Sequence, residues 1–297
     1  MKKLLLSSLL LLSCGTEQPK DPTITSNHLT QLRSKYTTYL NQVSNVQDNY
    51  GFIESDHCDS VLFTGLLSIA TGTSILSARN SDGQWFRRPT MDCYPNNSRS
   101  TISRDMFIGI FWNLWRNKDL SSLNSIWEYG ERTNWKMGEG VSSRVFLTPN
   151  MISTLGILIH SLGGEDHLLR KTPLSMGDNT GFAAHLDVLL LTLRAEALGY
   201  LEKPSIISTH YNRNCKNALF AYTYNKYISG NHYSTTIALL NTQYFPVDRL
   251  PTSSDRKAAW LWERDDGADW LPSTTDLSRQ HSGGDYLFIT KLLLDDI

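Results

Sequence analysis

The chain has 297 residues, of which 40% are hydrophobic and 19% charged, with a formal net charge of −1. That length suits one large domain or two small ones. Mixed charges without a basic stripe exclude a nucleic-acid partner, and after the N-terminus no apolar run approaches the ~18 residues of a membrane span. GxSxG, GxxxxGK[ST] and HExxH are all missing, as is any CxxC pair or Cys/His cluster at zinc spacing, so neither metal nor cofactor is expected.

The N-terminus opens with Lys2 and Lys3, followed by a leucine run over residues 4–12 broken only by serines. The run is about half the length of a membrane span. Leu11-Leu12-Ser13-Cys14 resembles a bacterial lipobox. The resemblance implies cleavage before Cys14, a lipid on that cysteine, and export to the envelope with the lipid as membrane anchor. Gly15 behind the cysteine points to the outer membrane. Residues 1–13 are then a signal peptide, 14–23 (polar, with Pro19 and Pro22) a flexible tether, and 24–297 a single helical domain. Three further cysteines, Cys58, Cys93 and Cys215, leave one unpaired if a single disulfide forms. Cys58–Cys93 is favoured because it would pin a long loop to a helix start; Cys93–Cys215 stays open.

From residue 24 the periodicity is helical almost throughout. Leu29, Leu32, Tyr36, Leu40 and Val43 form one stripe over residues 24–46, and Leu120, Leu123, Ile126, Trp127 and Gly130 another over 119–133. Four other segments are apolar nearly all round: CDSVLFTGLLSIA from Cys58, RDMFIGIFWNLW from Arg104, GFAAHLDVLLLTL from Gly181 and GGDYLFITKLLL from Gly283. A stripe packs on one side, whereas an all-round apolar helix is enclosed. Residues 149–162, 216–228 and 231–242 are further helical candidates, and Gly163-Gly164 reads as a C-cap. The expectation is an all-α fold, an inner ring of enclosed helices wrapped by an outer one, as in an (α/α) hairpin barrel. Two long loops, 77–101 and 244–282, interrupt it, and loops of that length are commonly functional.

Carboxylates stand at or near the starts of the enclosed helices: Asp56 and Asp59, Asp105, and Asp285. Parallel inner helices would gather them at one end of the barrel. The same acids also fit helix capping and the helix dipole. Glu139, in Trp135-Lys136-Met137-Gly138-Glu139-Gly140, is expected to be an exposed acid on a sharp turn. The loops offer sugar-binding chemistry: Trp85, Arg87 and Arg88 in one, Trp262 and Arg264 in the other, with Arg104 and His281 just before enclosed helices. His185, inside an apolar helix, reads as a core histidine.

The segments CDSVLFTGLL, SRDMFIGIFWNLW and SGGDYLFITKLLL, with tryptophan-rich loops between helices, resemble the six-hairpin (α/α) toroid superfamily of glycan-active enzymes. The resemblance extends over 24–297 and implies either a hydrolase with an acid and a water-activating carboxylate or a lyase using Tyr, His and Arg. For a hydrolase, Asp105 takes one role, since Arg104 and a serine-rich loop flank it. The other stays open between Asp59 and Asp285, with Glu139 also a candidate. A lyase would use His281 or Tyr286 with Arg87 and Arg88. A third reading is a non-catalytic surface lipoprotein that holds a glycan or a partner protein through its aromatic loops. Two carboxylates across one open pocket would favour catalysis.

Overall fold

Apolar patterning becomes helices almost segment for segment. A computed structural model describes residues 25–53, 58–91, 100–140, 143–167, 181–213, 215, 217–230, 232–241 and 283–297. The fold there is all-α, with ten α-helices and one small hairpin among the described residues. The striped segments become α1 (Ser26–Asn41) and α4 (Leu120–Arg132). The all-round apolar ones become α2 (Ser60–Thr71), α3 (Met106–Arg116), α6 (Gly181–Leu198) and α10 (Gly283–Asp296). α5 (Pro149–Ser161), α8 (Ala218–Tyr227) and α9 (Ser234–Asn241) occupy the remaining candidates. None of the described helices is long and apolar enough to cross a membrane.

Two elements depart from expectation. α7 (Pro204–Arg213) buries only Ile207 and His210, too thin a stripe to stand out in the sequence. β1 (Lys136–Glu139) pairs antiparallel with β2 (Arg144–Phe146), and an irregular register between Lys136 and Gly138 hides any alternation. Glu139 is therefore a strand residue rather than part of a sharp turn. Gly163 and Gly164 do end α5 as expected. Gly163 takes a positive φ, its N–H donates to the His160 carbonyl, and the Gly164 N–H donates to Ile159, forming a Schellman cap.

The enclosed helices share a direction. The crossing of α2 and α3 is set by Gly65 and Gly109: a Cβ on Gly65 would lie 2.3 Å from the Gly109 carbonyl oxygen, and one on Gly109 2.3 Å from that of Leu62. Further along, the Asn113 amide of α3 donates to the Thr73 carbonyl, just past the end of α2, at 3.1 Å. Trp112 of α3 meets Phe288 of α10 edge-on at 5.0 Å, and Arg116 pairs with Asp295, one turn later in α3 and two turns later in α10. Thr192 of α6 bonds Thr223 of α8 at 2.8 Å, and Glu196 then meets Lys226 at 2.7 Å. Contacts in the same order along both members make each of these pairs parallel. α10 also packs on α2 and α8, and α3 on α6; α1, α4, α7 and α9 lie against this set.

Where α6, α8 and α10 end, Lys226 sits between two carboxylates, 2.7 Å from Glu196 and 2.7 Å from Asp296. The Tyr227 hydroxyl donates to Glu196 at 2.9 Å, while those of Tyr222 and Tyr233 donate to Asp296 at 2.9 and 2.8 Å. Carboxylates oppose the dipole at helix C-termini, so the ammonium and three phenols are needed to hold them there. Burial, and after it the charge of Glu196 and Asp296, pushes the Tyr222 phenol far above its ordinary value. Burial does the same to Tyr286, and raises Tyr36 to about 12.

A raised phenol pKa favours the neutral form in the native state. Its stabilisation is complete below the unfolded value, near 10, and is lost as pH climbs toward the native one. For Tyr222 and Tyr286, both fully buried, the loss is about 1.4 kcal/mol each per pH unit above ~10. Alkaline titration should therefore give phenolate absorbance in two stages, the second coinciding with loss of helical circular dichroism. Complete ionisation with the helices intact would contradict the burial.

Candidate functional site

A cavity of about 670 Å³ opens where α3 and α5 begin and α6 passes. Arg104, Asp105 and Ile108 line it from α3 and its approach, Thr148, Pro149 and Met151 from the start of α5, and Ala183, Leu186, Asp187 and Leu190 from α6. The α6 residues are spaced i, i+3, i+4, i+7, which is one face of a helix. Along α6, Ala184 and His185 are buried, as are residues 188–195, whereas Ala183, Leu186 and Asp187 are not. The enclosed helix loses its cover where the cavity lies.

Asp105 precedes α3 in helical conformation, and its side chain makes no capping bond. It accepts instead a 2.5 Å hydrogen bond from the Ser103 hydroxyl. The first amides of α3 are satisfied by a tight turn: Met106, Phe107 and Ile108 donate to the carbonyls of Ser103, Arg104 and Asp105. The carboxylate is thereby released from capping and lines the cavity. Its approach is fixed through backbone, since the Thr101 N–H donates to the Glu139 carbonyl at 2.7 Å and the Thr101 carbonyl accepts from Arg87 at 3.0 Å. At α5 the order is reversed. Thr148 caps the helix by accepting from the Met151 N–H, with Pro149 at the first helical position.

The structure brings together Asp105 and Arg104 of the sequence candidates, and adds Asp187. Sequence reasoning passed over Asp187 although it carries a signal, being the one acid in the apolar stretch 181–194. A charge in an enclosed helix needs a partner or a cavity.

The other candidates are placed elsewhere. Asp59 is the N-cap residue of α2, and its side chain makes no capping bond. It forms a 2.8 Å ion pair with Arg87, whose guanidinium is buried and also donates to Ser100. Arg87 thus pins the loop to the start of α2, and its side chain is spent there rather than offered to a sugar. Arg88 is directed at Asp48, 3.8 Å away, so the two arginines do not form a paired clamp. Trp85 is 0% exposed beneath Arg79 and presents no face for stacking. Glu139 is half-buried, and Lys136, through a hydrogen bond and its charge, holds the carboxyl below the usual range, the wrong direction for a proton donor. Asp285 lies in the first turn of α10, with its side chain outside the described residues. Asp56, Trp262, Arg264, His281, Cys14 and Cys93 are likewise outside them. Cys58 and Cys215 are each disulfide-bonded, whereas Cys93, the expected partner of Cys58, lies outside the described residues. His185 is buried with its ring against Phe220, as a core histidine.

A second hollow, of about 390 Å³, is lined by Trp127, Glu128, Glu131, Glu165 and His167, with the His167 ring stacked on Trp127 at 3.8 Å. Among the described residues, no group of three His, Cys, Asp or Glu side chains could hold a metal ion. Compared with family models, curated proteins and solved structures, the chain matches none.

Proposed function

We propose that the chain is a glycan-processing enzyme, a glycoside hydrolase, with Asp105 and Asp187 as its paired carboxylates. The observation that carries this reading is that two carboxylates from neighbouring helices line one open cavity. In hydrolysis with inversion, one carboxyl protonates the glycosidic oxygen while the other, ~6.5–9.5 Å away, takes a proton from the attacking water. The Ser103 donor orients the Asp105 carboxylate as an acceptor, which suits it to receive the water's proton. Asp187, which lines the same cavity from α6, is then the acid. The shared direction of the enclosed helices and the packing of α2, α3, α6, α8 and α10 on one another support the (α/α) toroid arrangement. Of the two lyase candidates, Tyr286 is buried and donates to the Leu32 carbonyl, away from the cavity lining.

Asp105→Asn and Asp187→Asn should each lower kcat on a hydrolysable polysaccharide by about 10²–10⁴-fold with the melting temperature nearly unchanged. Asp59→Ala should do the opposite. It takes the Asp59 carboxylate away from the buried Arg87 guanidinium, costing about 3 kcal/mol of stability, with turnover per folded molecule retained. Reducing ends released by a panel of envelope and environmental polysaccharides, measured alongside thermal unfolding, separate the two patterns. Wild-type turnover in both Asn variants would reduce the cavity to a binding site.

The anchoring that the lipobox resemblance implies belongs to the same proposal: an envelope lipoprotein, held by a lipid on Cys14 and facing glycan. Cys14→Ser should move the protein from the detergent phase to the aqueous phase or leave its leader uncleaved. Partitioning equal to the wild type would remove the lipid from the picture.

A further inference from the structure

The wall beside the carboxylates is aliphatic. Ile108, Pro149, Met151, Ala183, Leu186 and Leu190 supply it, and no aromatic ring belongs to the described lining. A bare pyranose face stacks best on a flat ring, and Trp85 is sealed in the core instead. Aliphatic side chains left open on an otherwise enclosed helix are suited to a different group: a chain of methylenes. Ala183 is exposed and Leu186 half-buried although both lie on α6, so this apolar surface is reachable through the cavity mouth. The hollow of about 670 Å³ falls within the ~300–1,000 Å³ of small-molecule sites. That is room for a sugar ring at the carboxylates and a short chain along the wall.

We propose that the sugar taken at this cavity carries an acyl substituent, and that the wall formed by Ile108, Met151, Ala183, Leu186 and Leu190 is its subsite. This rests on the glycan reading for the identity of the polar half of the ligand; the wall itself does not depend on catalysis. The acyl group enters as recognition, and no bond to it is made or broken.

The test uses the full chain and a series of N-acyl glucosamines, from acetyl through butanoyl and hexanoyl to octanoyl, with binding measured by calorimetry. Each added methylene that reaches the wall should tighten binding about fourfold until the cavity is full. Ala183→Phe places a ring in the cavity from an exposed position. It should abolish the chain-length gain while the melting temperature holds. Leu186→Gln, also at an incompletely buried position, should reduce the gain independently and guards against misfolding of the first variant. No gain from acetyl to octanoyl, or the same gain in both variants, overturns the proposal. Equal binding of a sugar-free octanoyl amide overturns it as well, since the site would then be a lipid pocket. A chain-length gain in a protein that turns over no glycan would remove the catalytic reading and keep the subsite. Turnover without the gain would do the reverse.

Discussion

Gly109→Ala should cost about 3 kcal/mol or more, from a change of one methyl group. The added Cβ would lie 2.3 Å from the Leu62 carbonyl oxygen and 2.7 Å from the Leu62 Cα. Those atoms belong to the backbone of α2 and cannot swing aside as a side chain would, so the two helices must separate. Separation opens gaps around Phe107, Phe111 and Leu66, all almost completely buried, and lost packing adds to the strain. On propensity alone the same change should stabilise a helix by nearly 1 kcal/mol, so the sign of the result discriminates between the two effects. Gly65→Ala meets the Gly109 carbonyl at 2.3 Å and should behave alike. Because both substitutions break one crossing, the double variant should lose less than the sum of the two. Denaturant midpoints of the four proteins give the answer; a midpoint unchanged or raised in Gly109→Ala would refute the close crossing.

Lys226→Met should be nearly as damaging, about 3–5 kcal/mol, although methionine matches the length of the stem. The lysine side chain is 17% exposed, and those of Glu196 and Asp296 are 12% and 18%. Removing the ammonium leaves two like charges facing each other at helix C-termini, where the dipole already disfavours them. Tyr222, Tyr227 and Tyr233 still donate to the carboxylates, which limits the loss but supplies no positive charge. The triple variant Lys226→Met, Glu196→Gln, Asp296→Asn should regain much of the stability, because the cost lies in the uncompensated charges rather than in the missing contacts. If the single variant unfolds at the wild-type midpoint, the cluster is a surface feature without energetic weight.

The candidate site shows how position in a helix misled and then informed. Asp59 and Asp105 occupy equivalent places in the sequence, each one residue ahead of an enclosed helix. One is drawn into an ion pair by Arg87, which comes from a loop twenty-eight residues away; the other is turned into a cavity by the bond from Ser103. No local pattern distinguishes them, because the deciding partner of Asp59 is supplied by tertiary structure. Asp187 was legible in principle, as the charge that an apolar helix should not carry. Its meaning still depended on α3 and α5 beginning beside it. Trp85 had the composition of a ligand-binding ring, yet the turn from Arg79 to Trp85 folds it inward, where burying a large ring stabilises more than leaving it exposed.

What the sequence alone determined is the all-α class, most helix positions, and the division into enclosed and striped helices. Those follow from the period of apolar residues, a property carried by neighbours along the chain. Tertiary structure alone decided the shared direction of the enclosed helices, the Gly65–Gly109 crossing, the Lys226 cluster, and which carboxylates meet across a cavity. Each of these depends on groups far apart in sequence, such as Lys226 and Asp296, 70 residues apart. Their energy comes from desolvation and close packing, which exist only once the helices have docked.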